Sequence, residues 1–261
     1  MDRTKTGLPV LDEMLGGGFM RGDVVMVAGS AGTGKTVLAL QYLVNGITKF
    51  GEKGIYVTFE QLPDQIYRDA KNFGWDLRKM EEENKLRIVC TSPDVMLVAD
   101  GGESVLDEFI EEIHPQRIVV DSLSNLEMCV AEKELRKEAY RLVNYLKIKG
   151  LTPLLTWEVS QTSANPFSIS DVGLSFMVDC IVRLKPVEIE SSVRKALVML
   201  KMRGSDHDKR LREYEITKSG IHISSPFVGY DSIITGTPRK SMTDAAVESW
   251  TKAFRKEKGR D

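Results

Sequence analysis

The sequence has few of the residues that mark a disulfide framework or a zinc site, and it has no membrane-length apolar run. Its 261 residues include three cysteines, Cys90, Cys129 and Cys180, which are far apart and form no C-x-x-C pair. This spacing argues against disulfides and zinc, and predicts buried apolar cysteines in a reducing compartment. No stretch approaches about 18 apolar residues, and the N-terminus lacks a signal-peptide core. We therefore expect a cytoplasmic protein that does not enter a membrane.

The sequence also has no large excess of positive or negative charge. There are 36 Lys+Arg against 38 Asp+Glu, a formal net charge of -2, so no overall basic field indicates nucleic-acid binding. Hydrophobic residues make up 42% of the chain, enough for a full core. We predict one principal domain over residues 1–235. A flexible, basic tail over 236–261 would then be available to an unidentified protein partner.

Apolar runs bounded by turn residues alternate with helical patterns as far as Thr156, which predicts an α/β fold with a mostly parallel sheet and helices on both faces. The predicted strands are Val24–Ala28, Ile55–Phe59, Leu86–Val89, Arg117–Asp121 and Pro153–Thr156. The predicted helices are Lys35–Phe50, Leu62–Phe73, Ser104–Ile113 and Glu132–Lys149. Four later strands with short polar connections are expected to pair antiparallel: Cys180–Lys185, Lys195–Met202, Leu211–Ile216 and Ile221–Ser224.

A phosphate-binding loop follows the first of these strands. The segment Gly29-Ser30-Ala31-Gly32-Thr33-Gly34-Lys35-Thr36 has the G-x-x-x-x-G-K-[ST] spacing and opens a helix. Its glycines let backbone N–H groups turn toward a phosphate, Lys35 can reach the β- and γ-phosphates, and Thr36 can hold Mg²⁺. The sequence therefore predicts a nucleoside triphosphate site.

Acidic residues stand at the carboxyl ends of three other predicted strands, where open α/β folds bind ligands. Asp121 ends an apolar strand and is the candidate for the Mg²⁺ shell. Glu60 is the candidate to orient or deprotonate the attacking water, with a helix-start acid as the plainer alternative. Glu158 could sense the γ-phosphate or only close its loop.

A second cluster of polar residues surrounds a glycine turn in the antiparallel part of the chain. It covers residues 201–209, Lys-Met-Arg-Gly-Ser-Asp-His-Asp-Lys. A solvated hairpin explains this charge run on spacing alone. The alternative is a set of cations that meet a phosphate.

These motifs together resemble the KaiC-like branch of the RecA superfamily of P-loop ATPases, over nearly the full chain. The family-specific parts are the opening from Thr6 to Gly18 and the run from Lys201 to His207. Further matching stretches are residues 29–36, 56–60, 72–76 and 119–122. KaiC carries two such domains in tandem, and this chain holds one.

The resemblance implies a RecA-like core and a homo-oligomer, a hexameric ring with ATP and Mg²⁺ at the subunit interfaces. It implies that Glu60 is the catalytic acid and that Lys201 and Arg203 act in trans on the neighbour's nucleotide. The residues implied to contact the nucleotide are Gly32, Thr33, Gly34, Lys35, Thr36 and Val37 at the phosphates, Asn72 and Phe73 on the adenine side, and Ser205, His207 and Lys209 from the neighbour.

Two departures from the family pattern bear on activity. Gln61 stands where the family usually has a second glutamate, which favours slow turnover or a nucleotide-gated switch. Ser175 and Phe176 align with the Ser-Thr pair that accepts phosphate in KaiC's second domain, and Phe176 cannot accept phosphate. Autokinase activity through Ser175 is therefore disfavoured.

Three functions stay open at this point. The first is a slow Mg²⁺-dependent ATPase ring that regulates a partner according to its nucleotide. The second is a single-strand-binding accessory protein resembling a recombinase paralogue. Its expected loop, residues 160–171, offers Phe167 but no Lys or Arg, so nucleic acid is not indicated. The third is an autokinase signalling protein.

Overall fold

The computed structural model describes residues 2–96, 105–159, 174–227, 230–231 and 239–240. The loop over 160–171 with Phe167, and the predicted tail except for residues 239–240, lie outside these ranges. The strands are β1 Arg3–Thr4, β2 Phe19–Met20, β3 Val25–Gly29, β4 Gly54–Thr58, β5 Leu86–Cys90, β6 Arg117–Asp121, β7 Thr152–Glu158, β8 Cys180–Ile189, β9 Ser192–Met202, β10 Arg212–Thr217, β11 Gly220–Pro226, β12 Tyr230–Asp231 and β13 Arg239–Lys240.

The helices include all four that the sequence predicts, with slightly different ends. They are α1 Pro9–Met14, α2 Lys35–Phe50, α3 Pro63–Lys71, α4 Leu77–Glu82, α5 Pro93–Met96, α6 Val105–Ile113, α7 Leu126–Cys129 and α8 Glu132–Ile148, with short 3₁₀ turns at Leu123–Asn125 and Leu174–Phe176. The short helices α1, α4, α5 and α7 were not predicted, because each is too brief to give a clear helical period.

Nine strands of the described chain form one sheet in the order β5-β4-β6-β7-β3-β8-β9-β10-β11. The strands from β5 to β8 are parallel, and β9 to β11 continue the sheet antiparallel. This confirms the predicted α/β fold class. The expected antiparallel hairpins extend the sheet as β8–β9 and β10–β11. The parallel pairing of β8 with β3 was not predicted.

Two apolar layers cover the two faces of this sheet. On one face, α2 packs with β10 and β11 around residues such as Leu38, Tyr42 and Ile221. On the other face, α6 and α8 cover alternate residues of the same central strands. All five residues of β3 are buried, as expected for a parallel strand covered on both faces.

A buried arginine ties the helix that follows the phosphate loop to the sheet and the N-terminus. Arg117, at the start of β6, is 1% exposed. Its guanidinium donates to Glu52 Oε2, to the Tyr42 carbonyl at 2.8 Å and to the Lys5 carbonyl at 2.8 Å. It also lies 4.4 Å from the centre of the Tyr42 ring. Gly46 leaves room for it, because a Cβ there would lie 2.5 Å from Arg117 Nε.

The opening Thr6 to Gly18 folds around one carboxylate. Asp12 Oδ1 accepts from the Thr6 N–H at 2.7 Å and the Thr6 hydroxyl at 2.8 Å, and Asp12 Oδ2 accepts from the Gly7 N–H at 3.1 Å. Asn45 of α2 donates to the Thr6 carbonyl at 3.0 Å. The opening is therefore fixed against the helix that begins at Lys35.

The cysteine prediction is correct for one residue of three. Cys180 is buried, whereas Cys90 and Cys129 are exposed at the ends of β5 and α7. Burial raises the pKa of the Cys180 thiol. Separately, none of the helices within the described ranges is long and apolar enough to cross a bilayer.

We predict that Arg117→Met lowers the free energy of unfolding by about 3–5 kcal/mol, because it leaves the Glu52 carboxylate without its buried partner. Urea denaturation followed by circular dichroism measures this change. Arg68→Met is the matched control, since the Arg68–Asp69 pair is exposed and its loss should be barely measurable. Equal effects of the two variants would contradict the assignment.

Candidate nucleotide site

The predicted phosphate loop and acidic residues meet at one edge of the sheet. In the parallel register, Gly29 pairs with Glu158 and Thr58 pairs with Asp121. Glu60 follows Thr58 by two residues at the same edge. The carboxyl ends of β3, β7, β6 and β4 therefore bring together the residues that the sequence picked out along the chain.

The phosphate loop rests on β9 and β10. Gly34 has φ +90° and a Cβ there would lie 2.7 Å from Ile216 Cδ1, so glycine is needed for both conformation and space. Tyr214 donates its hydroxyl to the Thr33 carbonyl at 2.5 Å, and Lys195 donates to the Gly32 carbonyl at 2.6 Å. The antiparallel strands thus support the loop, a role that sequence reasoning missed.

Lys35 is buried at the base of the loop. Its ammonium donates to the carbonyls of Gly29 and Ser30 at 3.0 and 3.1 Å and lies 3.4 Å from Glu158 Oε2. The Glu158 side chain is 56% exposed. Glu158 therefore places a carboxylate next to the loop lysine.

Two hydroxyls from neighbouring strands hold Asp121. Tyr56 of β4 donates to Asp121 Oδ2 at 2.6 Å, and Thr156 of β7 donates to Asp121 Oδ1. Burial, together with the charge of Asp121, raises the pKa of Tyr56 well above its ordinary value, so the phenol stays protonated and remains a donor. Polar residues inside otherwise apolar strands were the available signal for this pair, and the sequence reasoning did not use it.

The loop and its surroundings fit a triphosphate and a divalent cation. Ser30 Oγ is buried without a hydrogen-bond partner among the described residues, and a Cβ at Gly32 would meet no atom within 4 Å. Thr36, half-buried in the first turn of α2, and Asp121 supply the oxygen ligands that Mg²⁺ prefers. Val37 is also half-buried in that turn.

Glu60 is exposed just beyond β4. The N–H groups of Glu60 and Gln61 donate to Thr58 Oγ1 at 3.3 and 3.1 Å. This turn fixes the backbone on which the Glu60 carboxylate is carried. The carboxylate thus stands at the edge where the phosphate loop begins.

The residues on the expected adenine side lie after α3. Asn72 is the exposed C-cap of α3, and the Phe73 ring lies 5.0 Å from the Trp75 ring, centre to centre. A Cβ at Gly220 would lie 2.7 Å from Trp75, so the β10–β11 turn packs against this aromatic pair. The same hairpin carries Ile216, which contacts Gly34.

The cations Lys201 and Arg203 lie at the opposite edge of the sheet. Met202 pairs with Cys180, and Cys180 pairs with Val25 at the start of β3. The phosphate loop begins at the other end of β3, about 13 Å away for a strand of this length. The structure does not bring these cations to the phosphate loop of their own subunit.

Contacts with the N-terminal opening fix the loop that follows Arg203. Arg3 donates to Ser205 Oγ at 2.8 Å, and the Asp208 N–H donates to the Met14 carbonyl at 2.9 Å. Asp208 also accepts from the buried Arg212 at 2.7 Å. Arg3 also donates to the carbonyls of Leu15 and Gly18, so this one side chain links the opening to the 201–209 loop, although nearly 200 residues separate them.

The remaining members of this loop point in different directions. His207 is half-buried, and its Nδ1 has no hydrogen-bond partner within the described part of the chain. The Lys209 side chain is 76% exposed and lies 3.7 Å from Asp206. Neither residue contacts the phosphate loop of the same subunit in the structure.

A family model described as "ATPase: KaiC" matches residues 4–227. The chain belongs to the KaiC family of ATPases. Family membership supports nucleotide binding at the edge described above, and the match covers the phosphate loop, Asp121 and the 201–209 loop alike.

Two cyanobacterial KaiC proteins and one archaeal structure are similar to this KaiC-family chain. It is 35% identical over 236 residues to the circadian clock protein KaiC3 of Synechocystis sp., covering 90% of this chain and 46% of that protein. It is 33% identical over 246 residues to the circadian clock oscillator protein KaiC of Thermostichus vulcanus, covering 94% and 47%. The chain thus spans about half the length of these relatives. The crystal structure of a KaiC-like protein from Pyrococcus horikoshii matches with a TM-score of 0.77 and 29% identity, covering 86% of this chain and 99% of that one.

The opposite edge contains a carboxyl group that titrates near neutrality. Burial, and next the charge of Asp179, raise the pKa of Asp23 to about 6, against the opposing charges of Lys147, Arg203 and Arg3. A carboxyl whose pKa is higher in the folded than in the unfolded state binds its proton more tightly when folded. The free energy of unfolding therefore decreases as pH rises from about 4 to above 6.

We predict that Asp23→Asn is more stable than the wild type at pH 7.5, by about 1 kcal/mol once the partial exposure of Asp23 is allowed for. This difference should shrink below pH 6 and disappear near pH 4. Urea denaturation between pH 4 and 8 measures it, with the exposed Asp206→Asn as control. A stabilisation that is equal at pH 4 and pH 7.5 would contradict the prediction.

Proposed function

We propose that this protein is a slow Mg²⁺-dependent ATPase that works as a hexameric ring, in which each subunit binds ATP and its neighbour supplies cations to the phosphates. The observation that carries the proposal is that one sheet holds the expected site residues at two opposite edges. The phosphate loop, Asp121 and Glu60 occupy the carboxyl edge, while Lys201 and Arg203 occupy the other. Two such edges facing each other make one complete site.

In this proposal, the backbone of residues Gly32 to Val37 and the ammonium of Lys35 hold the triphosphate. Thr36 and Asp121 hold Mg²⁺, with Asp121 kept in position by Tyr56 and Thr156. When bound, the metal neutralises charge on the phosphate oxygens. Asn72 and Phe73 line the base, beside the turn that packs on Trp75.

Hydrolysis requires that a water oxygen bond to the γ-phosphorus while the bond from that phosphorus to the ADP oxygen breaks. Glu60 orients this water and takes its proton, since it is exposed at the edge where the phosphate loop begins. Gln61 offers no second carboxylate, which supports slow turnover. A slow cycle suits a ring whose conformation reports its bound nucleotide to a partner, within the cytoplasm.

Lys201 and Arg203 act on the nucleotide of the neighbouring subunit, with Ser205, His207 and Lys209 around them. Cations that stabilise transferred phosphoryl charge can contribute about 10³ to 10⁵ in rate. An isolated subunit should therefore be nearly inactive. The contacts of the 201–209 loop with Arg3 and Met14 support this reading, because they hold the loop in one conformation before any neighbour arrives.

We predict that the wild type releases phosphate from ATP in the presence of Mg²⁺, that Glu60→Gln and Arg203→Ala each lose at least about 100-fold in kcat, and that both variants still form rings. Phosphate release and particle mass are measured on the same samples. Arg68→Ala, which alters an arginine with a 72% exposed side chain on α3, is the matched control and should hydrolyse ATP like the wild type.

Three results would contradict this proposal. If the wild type releases no more phosphate than Lys35→Ala, the proposed ATPase activity is wrong. If the active species is a monomer, the proposed ring is wrong. If Arg203→Ala keeps full activity in an intact ring, the proposed contribution of Arg203 in trans is wrong.

A further inference from the structure

One buried carboxylate joins the cation Arg203 to the strand that carries the phosphate loop. Asp179 lies directly before β8 and is 6% exposed. Its Oδ1 lies 3.3 Å from Arg203 Nη1, and its Oδ2 accepts from the Val24 N–H at 3.0 Å and pairs with Lys147 at 2.6 Å. Each oxygen of this carboxylate therefore has a partner, as a buried charge requires.

Backbone hydrogen bonds make the same connection a second time. The Asp179 N–H donates to the Val24 carbonyl at 2.9 Å, and the Arg203 N–H donates to the Asp179 carbonyl at 2.9 Å. Val24 precedes β3, and β3 ends at Gly29, the first residue of the phosphate loop. Asp179, which contacts Arg203, is thus connected through Val24 and strand β3 to the phosphate loop of the same subunit.

The segment before Asp179 holds both cations through its carbonyl groups. Lys201 donates to the carbonyls of Ser175 and Val178 at 2.8 and 2.7 Å. Arg203 donates to the Phe176 carbonyl. Asp179 is the one charged acceptor among these hydrogen bonds, so an isosteric substitution can remove its charge without changing the backbone.

We propose that Asp179 is the positioning residue of Arg203: it fixes the guanidinium that one subunit presents to the nucleotide of the next. This inference rests on the proposed function. Asp179 itself lies at the amino edge, away from its own phosphate loop, and so it acts only through the arginine.

Asp179→Asn keeps an oxygen for the Val24 N–H and loses the charge that orients Arg203. A reacting group displaced by about 1 Å can lower the rate by about 100-fold. We expect kcat to fall by about 10- to 100-fold with little change in KM for ATP, since the variant's own phosphate loop is intact. Lys147→Met is the matched control, because it removes the other ionic partner of Asp179 and leaves Arg203 in place.

Mixed rings test whether Asp179 acts on the neighbouring site. A Glu60→Gln subunit lacks the water-orienting acid and keeps a correctly held Arg203, whereas an Asp179→Asn subunit has the acid and a poorly held Arg203. At an interface where the Asp179→Asn subunit binds ATP and the Glu60→Gln subunit supplies Arg203, both the acid and the correctly held arginine are present. That shared site is complete. Mixing the two impaired proteins should therefore raise phosphate release at least about fivefold above the sum of the separate samples.

Mixed rings of Arg203→Ala with Glu60→Gln separate this inference from the proposed function. If that pair recovers activity and the Asp179→Asn pair does not, Asp179 has a different role and the inference fails alone. If Arg203→Ala is fully active by itself, the contribution in trans fails and the inference fails with it.

A double-mutant comparison adds a readout that general destabilisation would not give. In an Arg203→Ala background, Asp179→Asn should cause no further loss of kcat, since its effect passes through the missing arginine. A further loss equal to that seen in the wild-type background would overturn the inference. Asp179→Glu, which retains the charge on a longer side chain, replaces Asp179→Asn in both experiments if the amide variant does not fold.

Discussion

The guanidinium of Arg117 is the constraint on which the rest of the molecule depends. A buried charge is tolerated in a core when it is paired and hydrogen-bonded. Here the three guanidinium nitrogens donate to three separate parts of the chain: the segment after α2, the helix itself and the N-terminal strand region. The helix that begins at Lys35 can therefore lie in one position on the sheet. The phosphate loop, the opening around Asp12 and the start of β6 all take their places from it.

The single sheet holds two groups of polar residues at its opposite edges. The phosphate loop and the acidic residues collect at the carboxyl edge because parallel strands all end there, and Tyr56 and Thr156 orient Asp121 from the two adjacent strands. The cations collect at the amino edge because β9 runs antiparallel to β8 and finishes where β3 begins. The phosphate loop and the two cations of one chain therefore stand at opposite edges of its sheet.

Much of this arrangement could be predicted from the sequence. The phosphate loop and the acid after β6 have local signals, since a glycine spacing and an apolar run ending in a carboxylate are visible within ten residues. No local signal exists for the contacts of Tyr214 with Thr33, Thr156 with Asp121 and Arg3 with Ser205, because each contact joins segments that are distant in the chain. The parallel pairing of β8 with β3 has no local signal either, since only the antiparallel hairpin that β8 forms with β9 leaves a pattern of short polar turns.

Through its contact with Ser205, Arg3 near the start of the sequence helps to fix the geometry of a loop about 200 residues later. Arg3 also donates to the carbonyls of Leu15 and Gly18 at 2.7 and 2.8 Å, so the same side chain closes the glycine turn and braces the loop. Displacement of this one guanidinium would therefore free the glycine turn and the 201–209 loop together.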